Sequence, residues 1–234
     1  MCGAGAAQLV WSAKAEAVLS AGDDGDLWLW PRQGPLQHAQ AVLQHRLYAA
    51  ALSPRHRLLA LVNGKEQLLL MNADRLDQPP TVLDPPAPCA YADPAQAERH
   101  LDAALAFDAQ GRLWWLRRDG GLSLVPGLSA GAGAAALQAG THWCTHAVRA
   151  RLVPGLPGAV LVDELKRLVV ANEAGTRVVG DTSSLQKVTA IGASEGGRWM
   201  AAGTQGGDVL RWDLAVRPAT APAVSYTHLR AHET

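Results

Sequence analysis

The sequence has little of what marks several common classes of protein. Its 234 residues carry 21 basic and 21 acidic side chains, so no basic excess indicates a nucleic-acid or anionic-membrane partner. No run approaches 18 consecutive apolar residues, as a membrane-spanning helix would need. The N-terminus lacks the cationic and apolar regions of a secretory signal. The three cysteines, Cys2, Cys89 and Cys144, are odd in number and far apart, so they favour a reducing compartment over a disulfide framework and predict a cytoplasmic protein.

The usual catalytic and cofactor motifs are also missing. There is no Gly-x-Ser-x-Gly elbow, no glycine-rich phosphate loop with a lysine, and no His-Glu-x-x-His. The segment 129–136 is a run of small residues between strands and not a nucleotide-binding loop. The sequence therefore predicts no catalytic residue and no bound cofactor.

What the sequence does contain is an internal repeat. Each copy runs from a polar turn through an apolar segment and a tight turn to a second apolar segment. Three copies align without a gap, a fourth needs one deletion, and a fifth is degenerate: Ser12–Pro31, Ser53–Asn72, Ser194–Asp213, Asp108–Pro126 and Val153–Asn172. Equivalent positions are 41, 54, 46 and 41 residues apart, which is close to the 40 to 45 residues of a propeller blade.

The repeated segments have the character of β-strands joined by hairpins. Leu27–Trp30 and Val209–Trp212 are short, apolar or alternating, and rich in aromatic and branched side chains. Asn63-Gly64 and Asp119-Gly120-Gly121 supply turns in which a positive φ costs glycine little. Because a lone four-stranded sheet cannot bury both faces, the sheets must stack, and radial stacking gives an all-β propeller of about five four-stranded antiparallel blades. In the adjacent pair Trp114 and Trp115, one side chain must point opposite to the other.

These residues resemble the WD-repeat propeller family. The closest matches are Leu52-Ser53-Pro54, the turn Ser20–Gly25 and the dipeptide Trp212-Asp213. The resemblance implies a fragment of a seven-bladed ring.

The resemblance also implies a buried hydrogen-bond set in each blade. It joins a turn Asp, a second-strand Ser or Thr, a third-strand Trp and a His. The first blade offers Asp24, Ser20 and Trp30, and the fifth offers Thr204 and Trp212.

The repeat divides the chain into five predicted blades. The predicted blades are 1–44, 45–85, 102–140, 146–184 and 187–215, with a Pro-rich insertion at 84–101 and a linker at 216–223. The last eleven residues, 224–234, resemble a translated sequencing-library adapter. We therefore expect the fifth blade to lack its outer strand, and apolar sheet faces to be exposed at both ends of the array. The Pro-rich insertion is interpreted as a surface excursion in preference to a partner-binding loop.

One cluster has the residue types of a metal site. His142, Cys144 and His146 alternate along the chain, so on a strand they would share one face. No fourth ligand lies near them in sequence, and strand spacing splays the ligands apart. A structural role at the entry to the fourth blade is favoured, and no metal site is predicted. Acidic pairs such as Asp163 with Glu164 are interpreted as turn residues.

The favoured function is a non-catalytic protein-interaction scaffold with protein or peptide partners and no nucleic-acid or membrane partner. The resemblance places the partner on the rim formed by the turns after the second strands and the loops before the inner strands. The predicted rim residues are Asp23, Asp24, Lys65, Glu66, Arg117, Arg118, Asp119 and Gln205. One alternative is a regulatory or sensor propeller of a multidomain signalling ATPase or kinase. The other is a propeller enzyme with a central-channel site, which apolar inner strands such as Ala49–Leu52 disfavour.

Overall fold

Five antiparallel sheets of four strands each make up the described part of the chain. The computed structural model describes residues 6–12, 16–22, 26–39, 46–53, 57–89, 101–125, 128, 142–153, 157–182, 188–194, 198–214 and 225–228. All of the regular secondary structure within these ranges is β-strand. None of these residues forms a helix long and apolar enough to cross a membrane.

The strands follow the chain in order, and each sheet is built from four consecutive strands. The first sheet contains β1 Ala6–Ser12, β2 Ala17–Gly22, β3 Leu27–Pro31 and β4 Gln37–Ala39. The second contains β5 Leu47–Leu52, β6 Leu58–Asn63, β7 Leu68–Asn72 and β8 Thr81–Leu83. The third contains β9 Ala104–Phe107, β10 Leu113–Leu116, β11 Gly121–Val125 and β12 His142–Cys144. The fourth contains β13 Ala147–Leu152, β14 Ala159–Asp163, β15 Arg167–Asn172 and β16 Gly175–Asp181. The fifth contains β17 Val188–Ala193, β18 Trp199–Thr204, β19 Asp208–Asp213 and β20 Ser225–His228.

Consecutive sheets stack face to face. The first strand of each sheet contacts the first strand of the next, so β1, β5, β9, β13 and β17 form the inner row. Four hydrophobic clusters fill the spaces between the first and second, second and third, third and fourth, and fourth and fifth sheets. The predicted stacking of blades is confirmed.

Strand alternation divides each central sheet between two of these clusters. On β10, Leu113 and Trp115 pack toward the second sheet, whereas Trp114 and Leu116 pack toward the fourth. On β6, Leu59 and Leu61 likewise face away from their neighbours Leu58, Ala60 and Val62. The prediction that Trp114 and Trp115 point in opposite directions is confirmed, and both are buried.

The gapless alignment of three repeats also holds in the backbone. The N–H of Arg32 donates to the carbonyl of Glu16, that of Ala73 to Arg57, and that of Leu214 to Arg198, at 2.7–2.8 Å. In each case the acceptor is the fifth residue of the aligned segment and the donor is the first residue after that segment. They close the hairpin of the second and third strands in the first, second and fifth sheets.

Two predicted blade boundaries are wrong. The fifth sheet does have an outer strand, because β20 pairs with β19 and Asp208 lies opposite His228. The third blade does not end at residue 140, since His142–Cys144 pairs with β11 as its outer strand. In both cases an open strand edge offers unpaired backbone groups that an extended segment can fill whatever its side chains. Strand β20 lies within the adapter-like segment.

The first sheet exposes part of the face that is turned away from the second sheet. Leu9 and Trp30 are among the most exposed large hydrophobic residues described. Trp30 is half exposed, and its indole N–H donates to Ser20 Oγ at 2.9 Å. The Ser–Trp pair expected from the WD-repeat resemblance is therefore present in this sheet. The third expected member, Asp24, lies outside the described residues.

The fifth sheet packs tightly against the fourth at one glycine. A Cβ atom built on Gly180 would lie 2.5 Å from Trp212 Nε1. Within the described part of the chain, this buried indole N–H has no hydrogen-bond partner, and the Thr204 hydroxyl accepts from the N–H of Asp208 instead. The expected pairing of Thr204 with Trp212 is therefore not observed.

Candidate functional site

The turn between the second and third strands recurs with the same geometry in four sheets. It covers 63–66, 117–120, 163–166 and 204–207, and the N–H of the fourth residue donates to the carbonyl of the first at 2.9–3.2 Å. The fourth residue has a left-handed backbone, with φ of 60° at Glu66, 78° at Gly120, 58° at Lys166 and 88° at Gly207. A turn followed by a left-handed residue is a standard three-residue hairpin connection. In the second sheet the left-handed position is Glu66 and not the glycine of Asn63-Gly64.

In three of these turns the side chain of the first residue accepts a backbone hydrogen bond. These residues are Asn63, Asp163 and Thr204. Asn63 Oδ1 accepts the N–H groups of Lys65 and Gln67, both at 3.0 Å. Asp163 Oδ1 accepts the N–H of Arg167 at 2.8 Å, in agreement with its interpretation as a turn residue. Such Asx-type bonds make the turns rigid supports for the side chains between them.

The side chains on these turns form a polar rim at one end of the sheets. We call it the turn rim, and it comprises Lys65, Glu66, Arg118, Glu164, Leu165, Lys166 and Gln205. The predicted residues Lys65 and Gln205 are exposed, and Glu66 and Arg118 are half-buried. Asp23 and Asp24 lie outside the described residues.

Sequence reasoning missed the part of the turn rim that the fourth sheet contributes. Glu164 and Lys166 are exposed, and the Leu165 side chain between them is 67% exposed. The repeat alignment could have found them, because they stand at the positions of Gly64, Lys65 and Glu66. The fourth sheet contains the degenerate repeat copy Val153–Asn172, whose weak sequence pattern obscures this equivalence.

A β-bulge at Tyr48 in β5 lies where the inner row contacts the turn rim. The pairing register shifts at Tyr48 in β5, and it shifts at the same position in β1, β13 and β17. The guanidinium of Arg118 lies 4.9 Å from the Tyr48 ring centroid, and that of Arg46 lies 5.8 Å from it. This cation–π contact joins a turn of the third sheet to the inner strand of the second.

Arg117 is not part of the exposed rim. Its side chain is 2% exposed and donates to the carbonyls of Pro86 and Ala87 and to Asp119 Oδ2. Asp119 in turn accepts the N–H of Cys89 at 3.0 Å. The prediction that Arg117 lies on the exposed rim is wrong, because the start of the Pro-rich insertion covers it. Both residues fasten that insertion to the third sheet.

The described start of the insertion, 84–89, contributes one cysteine to a disulfide bond. Cys89 is joined to Cys144 of β12, and their Cα atoms are 5.5 Å apart despite 55 residues of separation. The sequence disfavoured a disulfide, and that expectation is wrong for Cys89 and Cys144, because residues 84–89 fold back over the third sheet. His142 lies beside the bond, with Nε2 3.7 Å from the Cys89 sulfur and 3.9 Å from that of Cys144.

The second ring nitrogen of His142 contacts a buried serine. Its Nδ1 lies 3.1 Å from the hydroxyl of Ser123, which is fully buried. Burial lowers the pKa of His142, and the nearby Arg117 cation lowers it further, against an opposite effect of Asp119. His146 is exposed beyond the end of β12, with φ of 48°, and is not part of this cluster.

The inner row is less uniformly apolar than its segment Ala49–Leu52 indicates. On β13, Arg149 and Arg151 are both exposed, whereas Ala147 and Leu152 at its ends are buried. On β5, five of the six residues are buried. The fourth sheet therefore contributes two exposed cations to the inner row.

Comparison with known proteins supports the architecture. No protein-family model matches the sequence, and no curated protein matches it either. Among solved structures, the β-propeller domain of Cps50 (Swd1) from Myceliophteria thermophila superposes with a TM-score of 0.63 at 18% sequence identity. The match covers 96% of this chain and 74% of that chain. The chain has a β-propeller fold.

Proposed function

We propose that this β-propeller is a non-catalytic interaction scaffold of the WD-repeat type, which works in the cytoplasm and binds a protein or peptide partner on its turn rim. The observation that carries the proposal is the same hydrogen-bonded turn in four consecutive sheets. A rigid framework that presents variable side chains from equivalent loops is the usual design of a recognition surface.

The chemistry of the turn rim favours a polypeptide over other ligands. It combines cations at Lys65 and Lys166, a carboxylate at Glu164 and the exposed apolar side chain of Leu165. A surface of mixed sign does not suit a polyanion such as nucleic acid. It does suit a peptide with charges of both signs around an apolar anchor.

Two local features support the WD-repeat assignment. Ser20 and Trp30 form the side-chain hydrogen bond that the resemblance implies. Asp213 of the Trp212-Asp213 pair forms an ion pair with Arg198 across the open end of the same hairpin, at 3.3 Å.

A peptide-display selection on the purified chain tests this proposal. Peptides that bind the wild-type protein are then measured against a triple variant, Lys65→Ala, Leu165→Ala and Lys166→Ala. We expect the dissociation constant to rise about tenfold or more, because removing an anchor and its flanking charges costs at least about 1.4 kcal/mol of binding free energy.

The matched control is Arg75→Ala with Asp77→Ala. These two exposed residues form an ion pair just after β7, at the end of the second sheet opposite Lys65. Equal urea midpoints for the two variants establish that both are folded. The proposal fails if selected peptides bind the rim variant as tightly as the control.

A further inference from the structure

We propose that, once the Cys89–Cys144 disulfide is reduced, Cys89, Cys144 and His142 bind a single zinc ion. The disulfide and the zinc complex are then alternative states of one cluster on the third sheet. The inference rests on this cluster alone and is independent of the turn rim.

The three ligand atoms already have nearly the spacing that zinc requires. The two sulfurs and one ring nitrogen all lie within 4.8 Å of one another. In a tetrahedral site with Zn–S of about 2.3 Å and Zn–N of about 2.0 Å, ligand atoms are about 3.5–3.8 Å apart. The distances from His142 Nε2 to the two sulfurs are 3.7 and 3.9 Å. Only the two sulfurs must separate, and reduction of their bond allows this.

The imidazole is oriented as a ligand. Ser123 holds Nδ1, which leaves Nε2 to face the sulfurs. A hydrogen bond to the second ring nitrogen is the usual support of a zinc-bound histidine. Gly121 makes room for this arrangement, since a Cβ atom there would lie 2.8 Å from the His142 ring and 2.6 Å from the Arg117 guanidinium.

The surrounding charges favour two thiolates and one divalent cation. The buried Arg117 guanidinium lies beside the cluster and pairs with Asp119 at 2.7 Å. Two thiolates neutralise Zn²⁺, and the Arg117–Asp119 pair is itself neutral, so the occupied cluster carries no net charge.

The cluster is expected to stay together after reduction. Arg117 binds the carbonyls of Pro86 and Ala87, and Asp119 binds the N–H of Cys89. None of these hydrogen bonds involves a sulfur atom. They hold Cys89 near β12 when the covalent link is absent.

The chemistry balances in two steps. A dithiol reductant transfers two electrons and two protons to the Cys89–Cys144 bond, giving two thiols while the reductant becomes a disulfide. Zn²⁺ then replaces the two thiol protons, which pass to solvent, and His142 donates the lone pair of Nε2. Water fills the fourth position. The predicted cytoplasmic environment keeps thiols reduced and so favours the zinc state.

Cobalt titration of the full chain tests the proposal. The protein is reduced with a phosphine under anaerobic conditions, freed of reductant, and titrated with Co²⁺ as a spectroscopic substitute for zinc. We expect one equivalent to bind with a thiolate-to-cobalt charge-transfer band, and one equivalent of Zn²⁺ to remove the band. The oxidised protein should show no such band. This comparison needs no variant, so it holds even if a cysteine substitution unfolds the chain.

Variants then identify the ligands. Cys89→Ser and Cys144→Ser should abolish the charge-transfer band, and His142→Ala should weaken cobalt binding about tenfold or more. Cys2→Ser and His146→Ala are the matched controls and should bind as the wild type does. The proposal is overturned if the reduced wild type shows no charge-transfer band, or if the band survives in both cysteine variants.

Discussion

Asp108 shows how much one buried side chain can organise. It lies at the end of β9, and its carboxylate accepts from the backbone N–H groups of Gln110 and Arg112, from Arg112 Nε and from Trp114 Nε1, at 2.8–3.1 Å. Arg112 also reaches Glu173 at 2.6 Å. One carboxylate thus fixes a turn, a buried tryptophan and a contact to the fourth sheet.

The substitution Asp108→Asn should destabilise the protein strongly. The amide group would turn one acceptor into a donor that faces N–H groups, and the charge-assisted bond to Arg112 would be lost. We expect the free energy of unfolding at pH 7 to fall by about 2–3 kcal/mol, measured by urea denaturation. The control is Asp77→Asn, whose carboxylate is exposed, and which should leave the urea midpoint almost unchanged.

The same residue predicts a pH dependence. Burial raises the pKa of Asp108, but the hydrogen bonds from Arg112 and Trp114 and the Arg112 charge outweigh burial, so the pKa is lowered. Its contribution to stability is therefore complete above the unfolded pKa of about 3.9 and is lost as the pH falls through the lower folded value. The difference between the wild type and Asp108→Asn should narrow below about pH 4. A difference that stays constant into strong acid would contradict this assignment.

Individual residues also show which contacts can be predicted from the sequence and which cannot. The Ser20–Trp30 contact was predictable, because both residues belong to one repeat and the repeat fixes their register. The burial of Arg117 was not, since its partners lie 30 and 31 residues away in an insertion that follows no repeat.

At the scale of elements, the recurring turn allows a direct comparison of equivalent positions. Lys166 and Gly207 both occupy the left-handed fourth position, but only glycine adopts that conformation without strain. We expect Lys166→Gly to raise the free energy of unfolding by about 0.5 kcal/mol, as relieved strain exceeds the added chain entropy. We expect Gly207→Ala to lower it by about 1 kcal/mol.

Urea denaturation of the two variants measures both effects. A Cβ atom on Gly207 would have no neighbour within 4 Å, so the expected loss is conformational and not a steric clash. The opposite signs are the decisive feature. If both substitutions destabilise the protein, the left-handed strain at Lys166 is negligible.

The elements themselves were largely predictable, while their outer edges were not. Inner strands and hairpins carry alternating apolar residues and turn signals, and the sheet interfaces demand that pattern. Outer strands such as β12 and β20 are short, and backbone hydrogen bonds set their pairing. The sequence around them therefore carries little information about where they start.

At the scale of the whole molecule, the five described sheets stack one after another, and their stability should vary along the stack. The second, third and fourth sheets are packed on both faces, whereas the described clusters cover one face of the first and fifth. In stacked repeats the stability of a unit depends on its neighbours. We expect amide hydrogen exchange to be slowest in β6, β10 and β14 and at least about tenfold faster in β2 and β18. Hydrogen-exchange mass spectrometry measures this, and uniform protection across all five second strands would contradict it.

The alternation of Trp114 and Trp115 has a consequence for how this protein tolerates change. The two indoles are adjacent in sequence, yet one packs with the second sheet and the other with the fourth. A substitution at one position therefore perturbs the packing between only one pair of sheets. Compensating substitutions are expected in the facing sheet of that pair and not at the next residue. Covariation in such a chain should connect residues about one repeat apart more strongly than immediate neighbours.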